Sequence, residues 1–191
     1  KRSWNMKKEK ENFNFILHKK YDINKIKLHI NKYSDFEWLM NKTRQNETLH
    51  HTKTQSYFIS YFELIDDFSN YVPKINENID SVLVEMIMPI IKDMENVYNG
   101  KFGRIFLIKL PQESDITPHF DDDEYFNLTR RFHLPIITNE MVDFYVDDEK
   151  INMKEGECWE INNRKTHKVV NRSPNERVHL LFDIIPGKFL K

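Results

Sequence analysis

One cysteine, Cys158, is all that the chain contains, so no intrachain disulfide can form, and a secreted scaffold stapled by disulfides is excluded. A reducing, cytoplasmic setting is expected. No stretch approaches the eighteen or so apolar residues of a membrane span, and the basic start is followed by no apolar run of signal-peptide length, so no membrane partner is expected. The chain does not begin with methionine, which leaves open a removed targeting segment. An excess of charge of either sign is also missing. With 29 basic and 30 acidic residues the net charge is -1, which gives no general electrostatic reason to expect nucleic acid as partner. Only four glycines occur while Lys, Asn and Ile abound, a bias of the kind an AT-rich genome leaves. It fits a bacterial or viral source and carries no function. There is no internal repeat and no low-complexity tract.

At 191 residues the chain has room for one domain with a sizeable core. Residues 1–101 read as N-terminal helices and strands supporting a barrel, and 102–186 as its β-rich catalytic core. The first eleven residues are a polar lead-in around Trp4. From 13 to 30, runs such as Phe13 to Leu17 and Ile26 to Ile30 place apolar residues at i and i+2 and predict strands. Ser34-Asp35-Phe36-Glu37 is a capping box that predicts a short helix. Residues 44–55 read as a polar loop, and 56–64 as aromatic and β-prone. The clearest helix is 77–98, where Ile79, Val82, Leu83, Met86, Ile90, Met94 and Val97 recur at three- and four-residue intervals. Gly100 is its expected C-terminal cap, and Pro89 is expected to kink or split it. The methionines Met86, Met88 and Met94 read as packing groups. Short β-like runs follow at 102–110, 130–137, 142–146, 157–161, 168–170 and 177–185, the texture of a β-sandwich or barrel.

His119-Phe120-Asp121 places an imidazole and a carboxylate on one side of an extended segment, where both can reach one cation. Alone the pair says little. His167, 48 residues on, adds a second imidazole, and two imidazoles with one carboxylate form the facial triad that suits non-haem Fe(II). Zinc stays open on ligand type alone. Arg177 follows ten residues later at the start of the last β-run, from which its side chain can enter the same interior. A buried guanidinium needs an anion, and a carboxylate accepts its planar fork through two charge-assisted bonds.

The segments Arg131-Phe132-His133-Leu134-Pro135-Ile136, Gly156-Glu157-Cys158-Trp159, His167-Lys168-Val169-Val170-Asn171 and Arg177-Val178-His179-Leu180-Leu181-Phe182-Asp183 resemble the aspartyl/asparaginyl β-hydroxylase family over roughly 102–186. The resemblance implies a mainly β double-stranded β-helix, a cupin-like jelly roll with supporting helices. It implies an enzyme that uses Fe(II), 2-oxoglutarate and O₂ to hydroxylate an unactivated carbon, with release of succinate and CO₂. Carried over by position, His119, Asp121 and His167 are the metal ligands and Arg177 binds the distal carboxylate of 2-oxoglutarate. Arg131 and His133 lie beside the co-substrate. Two departures stand out. Animal members carry Gly where this chain has Asp121, so the triad here is complete, as in bacterial relatives that include free-proline hydroxylases. Animal members also use a serine on the strand before the first metal histidine, whereas Ile105 to Ile108 offers no hydroxyl.

Alternatives stay open for several residues. Arg131 can pair with Asp183 instead. His179 shares a face with Arg177 and either reaches the site or is a satisfied core histidine. Asn162, Asn163 and Asn171 serve as turn residues or orient His167. Asp122, Asp123 and Glu124 continue an acidic loop, Trp159 and Phe144 read as core aromatics, and His50, His51, Thr54 and Gln55 are a bland loop or substrate contacts. The substrate is an Asp or Asn side chain in a peptide or protein, or a free amino acid such as proline. A cupin-like domain that binds a metal or small acid without turnover is the rival from another class, and a zinc hydrolase ranks lower because no general base pairs with the triad.

Overall fold

The structure, a computed structural model, describes residues 12–40, 42, 46, 49–61, 68 and 70–190. The expected lead-in at 1–11, residues 44, 45, 47 and 48 of the expected loop, and residues 62–64 of the expected β-prone run lie outside them. Among the described residues, ten strands form two antiparallel sheets. The larger sheet runs β1 (Phe15–Lys20), β8 (Glu157–Ile161), β5 (Arg130–Ile137), β10 (Arg177–Ile185), β3 (Lys101–Leu110), β2 (Gln55–Ser60). The smaller runs β4 (Ser114–His119), β9 (His167–Asn171), β6 (Val142–Val146), β7 (Glu149–Ile151). Two facing sheets of this order make a cupin-like double-stranded β-helix.

Strand alternation decides what each face of the larger sheet carries. Along β10, Val178, Leu180, Phe182 and Ile184 pack with Leu83, Ile87 and Ile91 of helix α3 (Ser81–Tyr98) in the main core. The intervening Arg177, His179, Leu181 and Asp183 take the opposite face, and all nine residues of the strand are buried. Such a strand, covered on both sides, reads as an apolar run interrupted by polar groups that need partners.

The N-terminal residues do more than support. Strands β1 and β2 close the two edges of the larger sheet, so its edge strands come from the first sixty residues. The strand expected at 26–30 is instead helix α1 (Asn24–Ile30). Ile23, Ile26 and Ile30 are buried at helical spacing, while Leu28, which gave the alternating pattern, is 67% exposed. The capping box forms as expected and starts helix α2 (Asp35–Leu39).

Helix α3 begins four residues later than expected, where the Asp80 side chain accepts from the N–H groups of Val82 and Leu83. It continues through Pro89, because core packing of Ile87, Ile90 and Ile91 outweighs a lost backbone bond of about 3 kcal/mol. Asn99, with φ of 45°, takes the left-handed capping position expected of Gly100, whose N–H bonds the Glu95 carbonyl at 2.8 Å. The acidic loop after His119 is in part a helix, α4 (Glu124–Leu128), capped by the Asp123 carboxylate.

Candidate active site

Antiparallel pairing brings the two candidate metal histidines together. His119 at the end of β4 stands directly opposite His167 at the start of β9, with ring centroids 4.3 Å apart. Strand β4 is an edge strand, which tolerates Pro118 beside the first histidine. Each Nδ1 meets a backbone carbonyl, His119 to Thr117 at 2.7 Å and His167 to Lys165 at 3.0 Å. A carbonyl can only accept, so both rings carry their proton on Nδ1 and leave the Nε2 lone pair for a cation.

Asp121 follows two residues after His119, and its N–H bonds the Asn163 carbonyl at 2.9 Å. Its Oδ2 accepts from Arg131 Nη1 and from Asn163 Nδ2, both at 2.8 Å, which leaves Oδ1 available to a cation. One donor atom from each of His119, Asp121 and His167 lies within 4.8 Å of the others. Two neutral imidazoles and one carboxylate at this separation fit a non-haem Fe(II) ion with coordination positions to spare. Burial pushes the Asp121 carboxyl up, but the Arg131 guanidinium and the Asn163 hydrogen bond outweigh it and hold the group below its ordinary value.

Arg131 on β5 is directly opposite Asp183 on β10. Its Nε and Nη2 grip the two Asp183 oxygens at 2.9 Å each, while Nη1 holds Asp121. Burial would favour a neutral guanidine, yet Asp183 and Asp121 push its value above the ordinary range. Asp183, fully buried, also accepts from the Tyr125 hydroxyl at 3.0 Å, and the Phe126 ring lies 4.4 Å from the Arg131 guanidinium carbon. Arg131 is thus a strut from the sheet to the Asp121 carboxylate. This is the pairing with Asp183 weighed from sequence.

Between the sheets a pocket is lined by His119 and His167, by Arg131 and His133, and by Arg177. Ile108, Ile116, Phe144, Val169 and Leu181 supply its apolar wall. The two histidines of the triad and Arg177 therefore line one pocket, with Asp121 beside the histidines, and a dicarboxylate has room between a cation held there and the guanidinium. Arg177 is 1% exposed, and its Nη2 lies 2.6 Å from Nδ1 of His179. His133 rests edge-on against Phe144, with centroids 5.0 Å apart.

Two residues weighed from sequence mainly as turn or loop groups, Asn163 and His51, stand at the site. Asn163, ranked as a turn residue, grips Asp121; nothing in the local sequence distinguishes it from its neighbour Asn162. His167 is oriented by the Lys165 carbonyl, while Asn171 spends its amide on the carbonyls of Pro111 and Asn175. His51, from a short 3-10 turn at Leu49–His51, lines the pocket and meets His119 edge-on at 5.2 Å. Arg130, on the outward face of β5, goes to the buried Glu160 at 3.2 Å.

The family model for aspartyl/asparaginyl beta-hydroxylase matches residues 34–186. The chain belongs to that family. Membership makes it an Fe(II)- and 2-oxoglutarate-dependent dioxygenase by class, with O₂ as the oxidant. Among solved structures, an oxidoreductase of the 2OG-Fe(II) oxygenase family from Burkholderia pseudomallei is similar with a TM-score of 0.52 and 13% identity. The alignment covers 69% of this chain and 66% of that one, and the likeness is one of fold. A cupin domain from Bordetella pertussis overlaps at a TM-score of 0.35 and 14% identity, over 44% of this chain and 82% of that one. No curated protein sequence matches the chain. Among the described residues, no helix is long and apolar enough to cross a membrane.

Proposed function

We propose that this family member hydroxylates an unactivated carbon in the side chain of an Asp or Asn residue of a peptide, using Fe(II), 2-oxoglutarate and O₂. The observation that carries the reading is that three ligand groups converge and that two of them, His119 and His167, line one pocket with the buried Arg177. His119, Asp121 and His167 hold the iron through two Nε2 atoms and one carboxylate oxygen. Arg177 binds the distal carboxylate of 2-oxoglutarate, and His133 flanks the co-substrate from β5. Bound iron, with 2-oxoglutarate and O₂, supplies the oxidising power for C–H cleavage, and succinate and CO₂ are the by-products.

The protein's own residues set geometry and dryness. Backbone carbonyls fix both imidazole tautomers, while Arg131 and Asn163 fix the carboxylate, so the ligand set is preorganised. The apolar wall of Ile108, Ile116, Phe144, Val169 and Leu181 excludes water from the co-substrate. A peptide is preferred to a free amino acid because, among the described residues, the pocket's arginines are Arg131 and Arg177. The first is spent on Asp183 and Asp121 and the second is assigned to 2-oxoglutarate, so no further arginine lines it for an α-carboxylate.

Mass spectrometry after incubation with Fe(II), 2-oxoglutarate, and either Asp- and Asn-containing peptides or free amino acids tests the substrate class. Gain of one oxygen on a peptide Asp or Asn supports it, and gain only on free proline or another free amino acid overturns it. Two variants test the site: His167→Ala loses stoichiometric iron, and Arg177→Ala keeps iron but binds 2-oxoglutarate far more weakly. If both variants bind iron and 2-oxoglutarate like the parent, the metal and co-substrate assignment is wrong and a non-catalytic binding domain becomes the better reading.

A further inference from the structure

Arg177 and His179 sit at i and i+2 on β10, so both side chains leave the same face of a strand buried on both sides. Each is 1% exposed, and Arg177 Nη2 lies 2.6 Å from His179 Nδ1. A guanidinium has only donors, so this contact is a hydrogen bond only when Nδ1 accepts, which places the ring proton on Nε2. A doubly protonated ring would set N–H against N–H and one cation against another. The ring is therefore confined to a single charge state and a single tautomer.

We infer that His179 is a positioning residue that fixes the plane and direction of the Arg177 guanidinium toward the co-substrate pocket. The inference rests on Arg177 being the anchor for the distal carboxylate of 2-oxoglutarate, as proposed above. Arg177 lines the pocket, whereas His179 is not among the pocket's lining residues and acts through its neighbour. An arginine side chain has many rotamers, and a fork that must meet a carboxylate with two bonds gains from an acceptor that holds one Nη in place. Burial lowers the imidazole's proton affinity, and the Arg177 guanidinium beside it lowers it further, which keeps the ring neutral as the contact requires.

Nε2 argues against a purely packing role. It has no hydrogen-bond partner among the described residues, although it is buried and, in this tautomer, carries the proton. An orphaned N–H is a cost that an apolar side chain of similar size would avoid. What the position gains in exchange is the Nδ1 acceptor. His179 thus takes neither role weighed from sequence, being neither a direct ligand of the co-substrate nor a satisfied core histidine.

Calorimetric titration of 2-oxoglutarate, with Mn(II) in place of Fe(II) and O₂ absent, tests this without turnover. His179→Leu removes the acceptor and should weaken 2-oxoglutarate about tenfold, the size expected for one hydrogen bond to a charged group. His179→Asn places an amide oxygen near the Nδ1 position and should bind within about threefold of the parent, on the same scale. Mn(II) affinity should be the same in all three proteins. Should the Leu variant fail to fold, His179→Gln replaces it: its oxygen lies one carbon further out, so it should bind more weakly than Asn. Parent-like binding by Leu, or equal weakening by Asn and its comparison variant, overturns the inference. An Arg177→Ala variant that binds as tightly as the parent overturns the anchor assignment beneath it, and this inference with it.

Discussion

Replacing Asn163 by alanine isolates one link in the candidate metal centre. The residue makes two contacts with Asp121: its side-chain Nδ2 donates to Oδ2 at 2.8 Å, and its carbonyl accepts from the Asp121 N–H at 2.9 Å. Alanine keeps the second, because it belongs to the backbone, and removes only the first. The lost bond is to an ionised carboxylate, which places it at roughly 1.5–3 kcal/mol. Part of that energy orients Asp121 toward the two imidazoles, since Arg131 alone is then left to restrain Oδ2. If the whole amount is expressed in metal binding, affinity falls by about 10- to 150-fold, in line with about 10- to 100-fold for groups that orient a metal ligand. Competition titration of Mn(II) or Fe(II) against a chelator, run beside a urea unfolding curve of the metal-free protein, measures both sides. The expected outcome is a large drop in metal affinity with a smaller loss of apoprotein stability. Metal affinity within about threefold of the parent, a difference of less than 1 kcal/mol, would refute the view that Asn163 orients the ligand carboxylate.

Three further outcomes follow from the packing. Arg131→Met leaves the carboxylates of Asp183 and Asp121 without their shared cation, and urea denaturation should show a loss of about 3–5 kcal/mol; a loss under about 1 kcal/mol contradicts the strut. Gly156 has φ of +80°, and an added Cβ would stand 2.3 Å from the Tyr21 carbonyl oxygen, so Gly156→Ala should cost more than about 1 kcal/mol by thermal unfolding. Burial raises the Asp80 carboxyl, but bonds from His29, Tyr33 and the first turn of α3 bring it down to about 2 from an ordinary 3.8. With the folded value the lower one, its contribution is complete above the ordinary value and is lost as pH falls toward about 2, so Asp80→Ala should flatten the acid limb of stability and lose a cap of about 1 kcal/mol at neutral pH.

Strands of both sheets were legible as short β-prone runs. Strands β5, β6, β8 and β10 lie where short β-prone runs stand between turn signals, because apolar residues make up most of what they bury, even though Arg131, His133, Asp143, Glu160, Arg177, His179 and Asp183 are buried among them. Strand β4 was not, since Thr117 and Pro118 are exposed and pairing with β9 alone defines it. Helix α1 was misread because three apolar residues at period two mimic a strand, and only packing against α3 shows which of them is buried.

For the site, the sequence by itself determined which groups have the right chemistry: the His-x-Asp pair, the later histidine, and the arginine ten residues beyond it. Ligand type is a property of the side chain, and it is visible in one dimension. Tertiary structure alone decided how those groups are held. That Arg131 is consumed between Asp183 and Asp121, that Asn163 rather than its neighbour restrains the carboxylate, and that His179 faces Arg177 through Nδ1 depend on cross-strand register and on which atom of a ring meets a donor. For the first two the physical reason is distance, since their partners lie 10 to 52 residues away and local pattern carries no signal of that pairing, whereas His179 lies two residues from Arg177 and only the choice of ring nitrogen was hidden.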